Sequence, residues 1–400
     1  MVVANTDPNL YFNRDTKVYM VDGANMWEIP ILGGYAFSQT TNTSEITLSE
    51  MADSTNASRR GRAMFTDSVA PAEWSFDTYV RPFTSGTAGA LTHGAIEEVL
   101  WANFVADATV TPGVAPALPT YTPAANAAFA GSRSPIVRTG TTNMDVTFDN
   151  SNTLTLGTFD LVFVLGANNA PDANYELDGD TAIYRLNSCS INEVSITFDI
   201  DGIATLSWSG MGSRVREELA AFDASAAIRT AVDSTNTFIR NKLTQVALVR
   251  NSDAKAYAIT LTGGTITFTN NLDYLTPEVL GRVNSPLGHI TGARTIGGSM
   301  TAYLDNKTNG SMDLFEDVAA ATNAVRNSFS VKFYVGGKDP AGDRPRGPGI
   351  EFSFPNVHLT VPTHDNADVI SLSVDFSALP TSISSANEVD AIRYVGVAPA

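Results

Sequence analysis

From Glu73 to Arg81 the chain alternates between apolar and polar residues. Trp74, Phe76, Thr78 and Val80 fall on one side, and Glu73, Ser75, Asp77, Tyr79 and Arg81 on the other. A two-residue period predicts a strand buried on one face only. The face with Trp74 and Phe76 belongs to a core. The Glu/Ser/Asp face looks at bulk water, at a substrate, or at something that must pass without sticking.

Segments of this kind recur in a fixed order. "VYMVDGANMWEIPILGGYAFSQTTNTSEI" reads strand, turn, strand, Gly-Gly, strand. "VALVRNSDAKAYAITLTGGTITFTNNLDYL" reads the same, with Ile31-Leu32-Gly33-Gly34 opposite Leu261-Thr262-Gly263-Gly264. A Gly-Arg pair at Gly61 or Gly281 then precedes an irregular stretch and an alternating strand. A helix follows in each half. Ile96, Val99, Leu100 and Phe104 form its first apolar stripe, with Thr92 as N-cap and Glu97 and Glu98 pointing outward; Leu314, Phe315 and Val318 form the second. Next come "DLVFVLG" and "SFSVKFYVGG", and each half closes on a pair of strands, the first pair with Asp201-Gly202 as its hairpin turn. The expected fold is mainly β, two tandem copies of one domain, each with a flanking helix. The first spans 1–212 and the second 241–400, joined by a partly helical linker at 213–240. Residues 106–143, rich in Ala, Pro and Thr, read as a long loop or arm, and little after Pro380 is expected to pack.

Composition fits such a chain. Of 400 residues only 17% are charged, and the formal net charge is −17, which argues against nonspecific affinity for nucleic acid or anionic membrane. Cys189 is the single cysteine and is read as a small buried apolar residue. The N-terminus lacks the pattern of a secretory signal, and no apolar run is long enough to span a bilayer.

Catalytic constellations are missing. There is no nucleophile elbow, phosphate-binding loop or H-E-x-x-H, and no cofactor or metal is expected. His358 and His364 with Asp365 and Asp368 could be imagined as metal ligands, but a strand and a turn would hold them apart. Glu73 and Asp77 share a strand face at about 13 Å, beyond the spacing glycosidases use. The basic knot at Arg59, Arg60 and Arg62 is read as pairing with carboxylates of a neighbour.

The segments "GGYAFSQTTNTSEITLSE", "GRAMFTDSVAPAEWSFDTYVRPF", "SCSINEVSITFDIDGIATLSWSG", "LTGGTITFTNNLDYLTPEVLGRV" and "GSMTAYLDNKTNGSMDLFEDV" resemble, in order, the major tail tube protein of T-five-type long-tailed bacteriophages. The resemblance implies β-sandwich tube domains fused in pairs. Three subunits would then form a pseudo-sixfold ring, and rings would stack into the hollow tail through which the genome leaves. It also implies a virion location after synthesis in the host cytoplasm. The implied partners are other copies of the chain, a tail tip or initiator complex, a tape-measure protein, a tail terminator, and double-stranded DNA passing without specific binding. Since the sequence ends at Ala400, the decoration domain of some relatives is not expected.

Under that resemblance Trp74, Phe76 and Trp208 fill the core with Val194, Ile196, Phe198 and Leu206. The channel would be lined by Glu73, Ser75, Asp77, Glu193, Ser195, Thr197, Asp199, Thr205 and Ser207. The second half would add Thr265, Thr267, Ser299, Thr301, Ser371, Ser373 and Asp375. Arg59, Arg60 and Arg62 would lie at contacts between subunits or rings. Two rival readings are the inner tube of a sheathed, contractile tail and a virion decoration or carbohydrate-binding β-sandwich; the second would want an exposed aromatic platform.

Overall fold

The computed structural model describes residues 10–22, 25–46, 63–82, 97–105, 136–139, 143–148, 156–167, 174–175, 181–218, 220–225, 227, 238–275, 286, 288–320, 328–340, 342, 344–365, 369–382, 385 and 387–396. Alternating segments become strands, because a strand puts successive side chains on opposite faces. The first half holds β1 (Lys17–Asp22), β2 (Asn25–Ile29), β3 (Ala36–Glu45), β4 (Met64–Tyr79), α1 (Glu98–Val105), β5 (Ile136–Thr139), β6 (Asn143–Val146), β7 (Phe159–Leu165), β8 (Asn174–Tyr175), β9 (Ala182–Phe198), β10 (Thr205–Gly212), β11 (Arg214–Glu217) and β12 (Phe222–Asp223). The second holds β13 (Gln245–Arg250), β14 (Ala256–Tyr257), β15 (Leu261–Thr269), β16 (Leu272–Tyr274), β17 (His289–Thr291), β18 (Thr295–Tyr303), α2 (Ser311–Ala319), β19 (Phe329–Val335), β20 (Gly349–Leu359), β21 (Thr363–Asp365), β22 (Ser371–Ala378) and β23 (Ala391–Val395).

The same antiparallel pairings occur in both halves. β1–β2, β1–β7, β7–β9, β3–β4, β4–β10, β9–β10 and β9–β11 recur as β13–β14, β13–β19, β19–β20, β15–β18, β18–β22, β20–β22 and β20–β23. Each half is therefore two sheets sharing one long strand. In β9 that strand pairs with β7 and β11 near its start and with β10 after Ser190. It turns the corner at Ser188, whose φ is +49°, next to a register shift against β7. β20 turns its corner at Pro355 and Asn356, where the register against β19 also shifts, so the missing proline N–H interrupts no ladder.

The halves are joined edge to edge. β9 pairs with β15 from Glu193↔Thr269 to Phe198↔Gly264, so one sheet runs β3-β4-β10-β9-β15-β18-β22-β20 through both. One apolar cluster lies behind it, containing Trp74, Phe76 and Trp208 together with Phe268, Phe333, Phe354 and Phe376. Behind the seam sits α1, all of whose residues are buried. Trp101 packs on Trp208 and Phe268 at 5.1 and 5.6 Å between ring centroids, and its indole N–H donates to Tyr394 Oη at 2.7 Å. Asn270 just beyond β15 donates to the Phe104 carbonyl, partnering an otherwise open helix C-terminus.

Several expectations change. Glu97 and Glu98 are buried, because α1 is covered on all sides and not along one stripe. The linker is not helical where it is described: β11 pairs with β9, and β12 with β8. The tail packs, since β23 inserts between β20 and β6 with Ile392 and Tyr394 fully buried. The loop at 106–143 ends as strand, with β5 and β6 forming a hairpin that extends the second half's outer sheet and Arg393 bound to Asp145 at 2.8 Å. Residues 106–135 lie outside the described residues, as do Thr92 and Ile96.

Gly210 faces the core of β10, where a Cβ would collide with the Ser190 carbonyl and approach the Trp74 ring to 2.5 Å. Gly210→Ala should destabilise by about 1–3 kcal/mol, read from the denaturant midpoint of the full chain. Glu97 gives a pH signature. Burial pushes its carboxyl up to about 8, against the pull of Arg81. The folded chain keeps a proton that the unfolded chain releases near 4.5, so this group's contribution to stability falls as pH rises from about 4.5 to about 8. Glu97→Gln should flatten that fall, and melting temperatures measured at pH 5 and pH 8 should converge relative to the wild type.

Candidate functional site

The face of the shared sheet opposite the core is polar, and its side chains line up across strands by register. One row runs Asp77, Ser207, Ser195, Thr267, Gly297, Ser377. A second runs Ser75, Ser209, Glu193, Thr269, Thr295. A third carries Thr197, Thr265, Ser299 and Asp375, with the Thr265 and Ser299 hydroxyls 3.1 Å apart, and Thr301 pairs with Ser373 in the next. Glu73 lies opposite Met211 toward one end of the sheet. All of these are exposed or half-buried, whereas most of their neighbours along each strand are buried, with Asn192, Gly264 and Gly298 half-buried.

Chemically the face is simple. Hydroxyls dominate, the carboxylates are Glu73, Asp77, Glu193 and Asp375, and none of these positions carries Lys or Arg. Thr suits such strands because its β-branched side chain packs on a pleated surface while its hydroxyl meets water. At these positions no lysine or arginine is present to hold an anion, and the aromatic rings of the face, Tyr79 and Tyr303, lie at one end of it, opposite Thr205 and Ser371.

Sequence reasoning placed most of these side chains on one face without placing the two halves in one sheet. It missed Ser209, Thr269, Thr295 and Ser377, which extending the alternation by one step would have found. Asp199 lies one residue beyond β9, in the turn, and accepts from the Ile200 amide at 2.6 Å. Trp74 and Trp208 are buried, the latter donating to Thr78 Oγ1 at 3.0 Å. Arg59, Arg60 and Arg62 lie outside the described residues.

On β20, His358 lies opposite Ser377 and continues the first row, with its Nδ1 3.1 Å from the Leu359 carbonyl oxygen. His364, on the short strand β21, lies 4.9 Å from the Phe315 ring, and Asp368 lies outside the described residues. Among the described residues no three His, Cys, Asp or Glu side chains gather as metal ligands. Cys189 is fully buried, and burial pushes its thiol well above its usual range. No helix among the described residues is long and apolar enough to cross a membrane.

A wide antiparallel sheet with a hydroxyl-rich face suits a structural β-protein. Comparison narrows the class: the family model for the phage tail tube protein matches residues 166–378. The chain is also 29% identical over 390 residues to "Tail tube protein pb6" of Escherichia phage T5, across 95% of this chain and 75% of that protein. The chain belongs to the phage tail tube family and is a structural component of the virion tail.

Proposed function

We propose that three copies of this chain close a pseudo-sixfold ring, that rings stack into the tail tube, and that the polar face lines its channel. The observation that carries this is the β9–β15 seam. The two halves share their pairings, so the first half's β9 and the second half's β20 and β21 are equivalent, as are β15 and β3. Inside the chain the first such edge pair is joined. The second pair, β20–β21 and β3, stands at opposite ends of the sheet with outer edges unpaired among the described residues. Open edges seek strands, and joining these between copies repeats the internal seam around a closed ring.

The helices support the same reading. α1 is buried behind the internal seam, while α2 buries only Ser311, Leu314 and Val318 and leaves Met312 55% exposed. In the ring α2 stands behind the external seam and is covered by the neighbour. The face then meets DNA. Affinity for phosphate comes from cations that displace counterions, so a wall of hydroxyls and carboxylates lets DNA slide past. The chain acts as a conduit without catalysis. Tail tip, tape-measure protein and terminator are its expected partners at the ends and inside the tube.

Electron microscopy and sedimentation of the purified chain across a concentration series test the ring. Hollow threefold particles are expected; monomers throughout, even when seeded with purified tail tips, overturn it. Met312→Asp should change unfolding stability by no more than about 0.5 kcal/mol yet abolish rings, because the site is exposed only before assembly. Asp77→Lys with Glu193→Lys should leave tubes intact and slow genome ejection from virions, most strongly at low salt; an unchanged rate separates this face from the channel.

A further inference from the structure

The two halves match residue by residue at their edges. Past their corners, β9 and β20 meet equivalent partners: Ser190 lies opposite Met211 on β10, and His358 opposite Ser377 on β22. Further on, across the same one-residue shift, Ser195 lies opposite Ser207 and Thr363 opposite Ser373. Thr363, His364 and Asp365 of β21 thus hold the places of Ser195, Ile196 and Thr197. At the other edge, Met211 and Ser377 lie opposite Glu73 and Gly297, which makes Ser75 equivalent to Ser299. Ala36 pairs with Ser75 as Thr265 pairs with Ser299, so Ala36, Phe37 and Ser38 hold the places of Thr265, Ile266 and Thr267.

Inside the chain Ile196 lies opposite Ile266, and both are fully buried. Repeated between copies, that pair becomes His364 opposite the neighbouring copy's Phe37. His364 is exposed in the single chain, opposite buried Leu372 and 4.9 Å from the Phe315 ring of α2. Phe37 is half-buried, with the Phe163 and Tyr184 rings 4.8 and 5.5 Å away. Directly opposite side chains on one face stand about 5 Å apart at Cβ, so ring closure encloses the imidazole between Phe315 and the neighbour's Phe37.

We infer that ring closure is controlled by a proton on His364, neutral when the seam is closed and charged when it opens. This rests on the ring reading, whose external seam it describes. An imidazolium between two phenyl rings loses its water, and the attraction of a cation for an aromatic face offsets only part of that loss. The groups around it set the balance. β22 presents Leu372, and Asp365, opposite Ser371, points to the polar face. On α2, Asp317 is held by Arg250, Lys255 and Tyr257, Asp313 accepts from the Asn309 amide, and Glu316 is exposed. The neighbour brings Phe37 with Tyr35 and Gln39 beside it on the same face. The closed seam then binds fewer protons than the open one, so closure strengthens as pH rises through the imidazole range and weakens as it falls. Each unit by which enclosure lowers proton affinity weakens a seam roughly tenfold in acid, and three seams compound.

Sedimentation of the full chain at fixed ionic strength, from about pH 8 to about pH 5.5, reads the ring population while circular dichroism follows the fold. The wild-type ring population should fall roughly tenfold or more with an unchanged folded signal. His364→Phe and His364→Gln should both keep their rings in acid, and His358→Gln should respond as the wild type does. Rings that ignore pH, or either His364 variant losing rings in acid like the wild type, overturn the control and leave the ring standing. So does a loss of rings that occurs only together with loss of the folded signal. A wild-type chain that forms no rings at any pH overturns the ring reading and this inference with it.

Discussion

The backbone ladder between β9 and β15 is the constraint on which the rest of the fold depends. Buried N–H and C=O groups must find partners, and at this seam each half supplies them to the other. Without the ladder β9 would present an open edge in the middle of the molecule, with Ile196 and Ile266 uncovered behind it. The corner at Ser188 follows from the same demand, because only a strand that changes sheets can hold its own half's outer layer and still reach the other half.

Behind the seam the helix faces an unusual balance. A fully buried helix gains from Trp101, Phe104 and Leu100, yet Glu97, Glu98 and Asn103 are buried with them. The Asn103 amide donates to the Val99 carbonyl at 2.9 Å. The Arg81 guanidinium lies 5.4 Å from the Phe238 ring centroid, which offers it partial compensation for lost water. α2 takes a different solution and remains at the surface, where Asp317 is held by Arg250, Lys255 and Tyr257.

Much of this was legible in the residues. The period of two was enough for β4, β9, β10 and β22 because each has one buried and one wet face, and the Gly-Gly signals fall just before β3 and within β15, strands that hold equivalent places in the pairing scheme; the Gly-Arg pairs lie outside the described residues. What escaped was decided by partners distant in sequence. Glu97 and Glu98 looked outward because a helical stripe carries no sign that a second sheet lies against its polar side. β23 is a short strand with an arginine at its centre, and only Asp145 and Glu351 explain that residue. β11 reads as part of a partly helical linker for a similar reason, its register against β9 being set by sheet order and not by its own pattern.

The β5–β6 hairpin belongs to the first half by sequence and to the second by packing. Ile392 lies opposite Val146, and Arg393 grips Asp145 across a separation of 248 residues. Cutting the chain at the midpoint of its duplication would thus strip two strands from the outer sheet of the trailing fragment and leave β23 with a bare edge. A boundary drawn by the repeated pairings therefore differs from one drawn by packing.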